Sequence, residues 1–167
     1  MSETKILVLN HKQIGQKITR MAYEIYERNA SEKGILIAGI NGMGFILAQL
    51  LAKALEEISP LQAEVLEVQF DKSKTSKGNI QLSKSVEMKG KTVVLVDDVL
   101  NTGKTLLYGL EPFLENAVKK IEVAVLVNRS HKLYPVTPDY TGLELATTLT
   151  EHIDVDLSKE NFSAYLH

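Results

Sequence analysis

The chain has 167 residues, 44% of them hydrophobic and 24% charged, which suits one domain with a substantial core and leaves too little for two. Nineteen basic residues against 21 acidic ones give a formal net charge of -2, so the surface as a whole is not coated for nucleic acid, and only a local basic cluster could serve that purpose. With no cysteine in the chain, a disulfide framework, a Cys-ligated zinc site and a thiol nucleophile are all excluded.

The first ten residues, MSETKILVLN, hold an apolar run too short for a signal peptide, and no stretch reaches the roughly 18 apolar residues of a membrane span. The expected location is the cytoplasm, with no membrane partner. KILVL (5–9) reads as a short strand or extended arm. From His11 to Asn29, apolar residues at Ile14, Ile18, Met21, Ala22 and Ile25 fall at helical spacing, with Lys17, Arg20, Glu24 and Arg28 off the stripe. GILIAGI (34–40) is apolar throughout, as in a parallel strand covered on both faces. NGMG follows, then a helix from about Phe45 to Ile58, stopped by Pro60.

AEVLEVQF (63–70) alternates, with Leu66, Val68 and Phe70 on one face, and reads as a half-covered or edge strand. DKSKTSKG (71–78) is polar and unpatterned, a loop. VVLV (93–96) is a buried strand. The helix after NTGKT carries Leu106, Leu107, Leu110, Phe113 and Leu114, with Pro112 placed to kink or interrupt it. IEVAVLVN (121–128) is another buried strand. The rest is rich in turn residues, and HIDVDL forms a last short strand. Strands alternating with helices predict an α/β fold with a mostly parallel central sheet, one domain over residues 1–167. In such sheets ligands bind beyond the carboxyl ends of the strands, where NGMG, DDVLNTGKT and NRSHK lie.

VVLVDDVLNTGKT (93–105) raises the chemical question. A loop entering a helix offers unpaired N–H groups and a partial positive charge, an anion site. Gly103 lets the backbone approach an anion, and the hydroxyls of Thr102 and Thr105 donate to phosphate oxygens. Asp97 and Asp98 are acceptors at neutral pH, so they face hydroxyls or a metal ion. A ribose 5-phosphate offers both halves. A Walker A loop fails because position 98 is Asp where it needs Gly, and GINGMG fails as a dinucleotide fingerprint because position 41 is Asn. A plain capped helix start, with Asn101 or Thr102 as N-cap and the acids in solvent, stays open.

VVLVDDVLNTGKT is similar to the phosphoribosyl-pyrophosphate (PRPP) signature of the type I phosphoribosyltransferases. The likeness extends to one branch, PyrR, the pyrimidine operon regulators that also have uracil phosphoribosyltransferase activity. ITRMAYEIYERN (18–29), AVLVNRSHKLYPVTPDY (124–140) and the placement of GINGMG resemble PyrR segments in order, over nearly the whole chain. The resemblance implies the family fold with a small hood from the C-terminal segment, and transfer of phosphoribosyl from PRPP to a pyrimidine base, uracil above others. The alternative is a PRPP- or nucleotide-sensing operon regulator that binds an mRNA leader with little catalysis.

The resemblance also implies roles. Asp97 and Asp98 would hold the ribose hydroxyls with Mg²⁺ beside them, as catalytic and metal-site residues. Asn101, Thr102, Gly103, Lys104 and Thr105 would bind PRPP around its 5-phosphate. Asn41, Gly42, Met43 and Gly44 occupy the place of the pyrophosphate loop, and Arg129, Ser130 and His131 lie near the base or UMP. Residues 70–77 would form a loop closing over PRPP. Thr19, Arg20 and Arg28 match an RNA-binding pattern, although a solvated helix face of Lys17, Arg20, Glu24 and Arg28 is the simpler reading and the acidic balance does not favour RNA. Family likeness implies a dimer or tetramer.

The chain departs from that pattern in places. Met43 stands where the family has a basic residue, Phe70-Asp71 replaces Tyr-Arg, Tyr23 replaces His, and Asn128 and Ser130 replace Asp and Gly. Lys72, Lys74 or Lys77 would have to substitute for the lost charge.

Overall fold

The computed structural model describes residues 4–70 and 80–167. In chain order the elements are β1 (Ile6–Leu9), α1 (His11–Asn29), β2 (Gly34–Ile40), α2 (Met43–Ile58), β3 (Gln62–Phe70), β4 (Ile80–Leu82), β5 (Thr92–Leu100), α3 (Lys104–Gly109), α4 (Glu111–Leu114), β6 (Lys120–Asn128), β7 (Tyr140–Glu144), β8 (Ile153–Asp156) and β9 (Ser163–Leu166). The main sheet runs β4-β3-β2-β5-β6-β7. It is parallel except for β4, which pairs antiparallel with the end of β3.

The apolar strands predicted from GILIAGI, VVLV and IEVAVLVN form the centre of this sheet, and their alternate side chains supply two cores. Ile35, Ile37, Val94, Val96, Ala124 and Leu126 face α1 and α2. Leu36, Ala38, Val93, Leu95, Val123 and Val125 face α3, α4 and Met88 on the other side. Both faces are covered, which is why these strands show no polar alternation. β3 does alternate, as predicted, with Leu66 and Val68 buried and Glu64 and Gln69 exposed.

α1 begins at a capping box in which Asn10 Oδ1 accepts from Gln13 N–H and Gln13 Oε1 accepts from Asn10 N–H, both at 2.9 Å. Its predicted apolar stripe is fully buried and continues to Asn29. Asn29 Nδ2 donates to Glu122 Oε1 at 2.8 Å, and the Tyr140 hydroxyl donates to Glu122 Oε2 at 2.9 Å. Burial, and then Glu122, raise the Tyr140 pKa, so that hydroxyl keeps its proton.

Several boundaries differ from the sequence reading. β5 runs through the acid pair to Leu100. α2 starts at Met43, two residues early. The helix after the loop divides at Leu110 into two short pieces, with Pro112 in the first turn of the second, where a missing N–H costs nothing. β4, β7 and β9 carry no signal strong enough to predict them. In β7, Gly142 breaks the alternation because its backbone passes against β6, where a Cβ would come within 2.5 Å of the Leu126 carbonyl oxygen.

The C-terminal strands form a separate antiparallel sheet in the order β1-β9-β8. The N-terminal strand is therefore part of the unit that was expected from the C-terminal segment alone. Leu9, Val155, Leu157 and Ala164 join it to the α1–α2 core. Among the described residues no helix is long and apolar enough to cross a membrane.

Candidate active site

β2, β5 and β6 are adjacent and parallel, with Gly39 level with Val96 and Val96 level with Ala124. The segments at their carboxyl ends, 41–44, 97–105 and 129–131, therefore lie along one edge of the sheet. After β2 the chain adds β3 on one side, and β5 lies on the other. That reversal opens a crevice between β2 and β5, the place where α/β sheets take ligands.

On the β5 side, ten consecutive residues from Asp97 to Leu106 line a cavity of ≈ 110 Å³. A single water needs only about 10–15 Å³ on this measure, so a phosphate group fits. Gly103 is buried, with φ +92°, a left-handed conformation that suits glycine. The segment 133–136 supports it from behind. Leu133 and Tyr134 N–H groups donate to the Thr102 carbonyl at 2.9 and 3.1 Å, and a Cβ on Gly103 would meet Tyr134 at 3.4 Å.

Neither Asn101 nor Thr102 is an N-cap. Gly103 takes that position without a side-chain cap, and Asn101 Oδ1 accepts from Arg129 instead. The capped-helix explanation therefore does not hold as expected, although Thr102 Oγ1 accepts from Lys104 N–H at 3.3 Å, one residue outside the N-cap position. The dipole argument also weakens, because α3 has only six residues. Loop N–H groups and the hydroxyls of Thr102 and Thr105 must supply most of the attraction for an anion.

At the start of the same cavity, Asp98 N–H donates to Asp97 Oδ1 at 2.8 Å. Part of Asp97 reaches solvent, yet its carboxyl group is enclosed by protein. Burial, followed by the charge of Asp98, pushes its pKa well above the usual carboxylate range, while the Asp98 N–H opposes the shift. Among the described residues no cationic side chain pairs with either acid. Two adjacent carboxylates without a cation form a hard oxygen donor set that fits Mg²⁺, which takes one or two carboxylates and fills its other positions with water and substrate oxygens. No group of three or more candidate ligands exists among the described residues.

The loop after β2 forms the opposite wall. Gly42 has φ +92°, and Gly44 packs so closely that a Cβ there would lie 3.0 Å from Asp97 Oδ1. Met43, in the place of the family's basic residue, is drawn inward. It packs on the α1–α2 core, and its sulfur accepts from Leu157 N–H at 3.4 Å. The wall has the required backbone shape and no positive side chain of its own. Lys72, Lys74 and Lys77, with most of the expected closing loop, lie outside the described residues; only Phe70 is placed, at the end of β3.

On the β6 side the structure redirects the sequence reading. Arg129 was expected near the base, but it is 7% exposed and its guanidinium is occupied by the protein. Nη1 donates to Asn101 Oδ1 at 2.8 Å, Nε to Thr147 Oγ1 at 3.0 Å, and Nη2 to the carbonyls of Thr148 and Glu151. His131 Nε2 also meets the Thr147 carbonyl. Ser130, with φ 63°, is held by its N–H donating to Asn128 Oδ1 at 3.1 Å. Segment 147–151 is thus part of this wall, and its sequence TTLTE had no periodicity to announce it.

The three helix residues of the RNA pattern also make contacts within the fold. Thr19 Oγ1 donates to the Gly15 carbonyl at 3.0 Å. Arg20 pairs with Glu24 and donates to the carbonyls of Thr141 and Gly142 on edge strand β7. Arg28 lies 3.7 Å from Asp139 and 5.0 Å from the Tyr140 ring centre. Both arginines remain about half exposed.

A parallel α/β sheet whose switch-point crevice joins an anion loop to an acid pair defines the type I phosphoribosyltransferase class. The chain belongs to the phosphoribosyl transferase domain family, which it matches over residues 7–160. Within that family it is PyrR-like. It is 37% identical over 163 residues to the Bifunctional protein PyrR of Brevibacillus brevis, covering 93% of this chain and 91% of that one. The Bifunctional protein PyrR of Fusobacterium nucleatum is 35% identical over 161 residues, covering 92% and 91%. In fold it resembles a hypoxanthine-guanine phosphoribosyltransferase from Bacillus anthracis, with a TM-score of 0.75 at 20% identity over 99% of this chain and 100% of that one.

Proposed function

We propose that this phosphoribosyltransferase transfers the phosphoribosyl group of PRPP to a pyrimidine base, uracil before others, giving UMP and pyrophosphate. The observation that carries the reading is the polar cavity of residues 97–106, which begins at an acid pair that no cationic side chain joins among the described residues. Loop N–H groups with Thr102 and Thr105 would hold the 5-phosphate, with Lys104 at the rim. Asp97 and Asp98 would accept from the ribose hydroxyls and hold Mg²⁺. When bound, the metal would neutralise pyrophosphate and ribose oxygens.

The C1–O bond to pyrophosphate breaks and its electron pair leaves on oxygen. N1 of uracil gives up its proton to solvent or to the departing pyrophosphate and supplies the pair for the new C1–N bond. Positive charge grows on the sugar, so the nearby carboxylates stabilise it, and the crevice must position both partners and exclude water. The loop after β2, residues 41–44, would face the leaving group through its backbone. We place the activity in one cytoplasmic domain over 1–167 that assembles as a dimer or tetramer.

A second reading, a nucleotide-sensing pyrimidine operon regulator with weak catalysis, is favoured by one observation: the inward Met43 leaves its loop without a cation. Both readings are tested by incubating the protein with PRPP, Mg²⁺ and, separately, uracil, cytosine, hypoxanthine, guanine, adenine and orotate. UMP formation supports the enzyme. No nucleotide from any base, with UMP binding still measurable by calorimetry, supports the sensor. That sensor should then shift a pyrimidine-operon leader RNA on a gel in a UMP-dependent way at physiological salt.

A further inference from the structure

The Arg129 guanidinium joins two segments far apart in sequence. It begins at the end of β6, where Arg129 N–H donates to the Leu100 carbonyl at 3.1 Å. One arm reaches Asn101 in the anion loop, and the others reach Thr147, Thr148 and Glu151. A guanidinium has five N–H donors, so little capacity is left for a ligand. The segment it holds is otherwise thinly attached. Thr148 and Thr150 are exposed, and Leu149 is 87% exposed. Beyond the contact of His131 with Thr147, its own bonds are local, from Thr148 N–H to Glu151 Oε2 at 2.7 Å, from Glu151 N–H to the Thr148 carbonyl at 3.3 Å and between the Thr148 and Thr150 hydroxyls at 3.3 Å, and the next residue, His152, pairs through its backbone with His167.

The position of this segment gives it a use. The loop after β2 lies on one side of the acid pair, and the loop after β6 with segment 147–151 lies on the other. In a displacement at the anomeric carbon, the incoming nitrogen approaches opposite the leaving group. If pyrophosphate faces the β2 side, the base must enter from the β6 side. We propose that Arg129 is a positioning residue that never touches the base, and that it fixes segment 147–151 as the lip of the base pocket in register with the phosphate loop through Asn101. This deepens the reading of the site as a phosphoribosyltransferase and rests on it.

Bidentate and multidentate contacts are where Lys does not replace Arg, because an ammonium lacks the planar fork. Three variants test the proposal: Arg129→Met, Arg129→Lys and Thr147→Val. The last removes one lip contact and leaves Asn101 anchored, so it remains informative if Arg129→Met fails to fold. Amide hydrogen exchange over 147–151 should rise about tenfold or more in Arg129→Met, since charge-assisted bonds are lost. Exchange should rise less in Arg129→Lys and Thr147→Val. KM for uracil should rise about tenfold while kcat changes by less than about threefold, and Thr147→Val should leave KM for PRPP within about twofold.

Lost base affinity with unchanged exchange over 147–151 would mean that Arg129 touches the substrate directly, and would overturn the proposal. So would faster exchange with KM for uracil unchanged, because the segment would then be structural only. If the unmodified protein makes no nucleotide, the transferase reading fails by itself. The lip is then read from UMP affinity by calorimetry, expected to weaken about tenfold in Arg129→Met, and equal affinity would overturn the proposal on that reading too.

Discussion

The loops that follow β2 and β5 occupy equivalent places, at the ends of adjacent parallel strands on either side of the crevice, yet they are built in opposite ways. Residues 97–106 keep their polar groups facing a cavity, and the segment 133–136 supports them from behind. Residues 41–44 keep the tight backbone, with Gly42 at positive φ and Gly44 against Asp97, but turn their one long side chain into the core. Backbone shape can therefore persist where side-chain charge is gone. On the proposed function, a site of this kind would retain its hold on ribose phosphate and lose most on the leaving group.

The largest effect should come from the acid pair. Asp97→Asn with Asp98→Asn should reduce turnover by at least about 10²–10³-fold, as for removal of a transition-state electrostatic group, with the circular dichroism of the fold retained. Unchanged kinetics would end the assignment of the β5 side as the ribose site. Next, Met43→Arg should restore a charged hydrogen bond of about 1.5–3 kcal/mol to pyrophosphate, which corresponds to roughly 10- to 100-fold in kcat/KM for PRPP. No gain would show that other groups already neutralise the leaving group and would erase the contrast between the two loops.

Smaller effects concern stability. Gly103→Ala forces a Cβ into left-handed backbone at a cost of about 1–2 kcal/mol, read as a Tm lower by roughly 2–8 °C. A Tm unchanged within 1 °C would show that the loop relaxes, which the cavity described here does not allow. The last prediction follows from the raised pKa of Asp97. Between the unfolded pKa of about 3.9 and the higher folded value, the folded state binds more protons than the unfolded state, so stability falls as pH rises through that window. With Mg²⁺ chelated, Asp97→Asn should therefore have a higher Tm than the unmodified protein at pH 7, and the difference should vanish below about pH 3.9. A difference that is the same at both pH values would assign the effect to packing instead of ionisation.

The two sheets show where sequence is legible. Strands β2, β5 and β6 were visible because each buries both faces, and a continuous apolar run cannot be satisfied in any other way. α1 was visible because its stripe repeats with the helix and Asn10 and Gln13 form a cap. β4, β7 and β9 were not, because they are only three, five and four residues long and carry no continuous apolar run, and one partner of β9 lies at the other end of the chain. β9, for example, is held by β1 and β8, and Phe162 N–H donates to His11 Nδ1 across most of the sequence.

The sequence by itself determined the acid pair, the Thr-Gly-Lys-Thr loop and the strand that presents them, because these groups are contiguous and their chemistry is set by residue type and order. Only the tertiary structure decided the use of Arg129, Arg20 and Met43. A long side chain can face a ligand, an edge strand or the core, and which it does depends on partners such as Thr147, Thr141 and Leu157. Those partners are many residues away, and no local pattern encodes the distance between them.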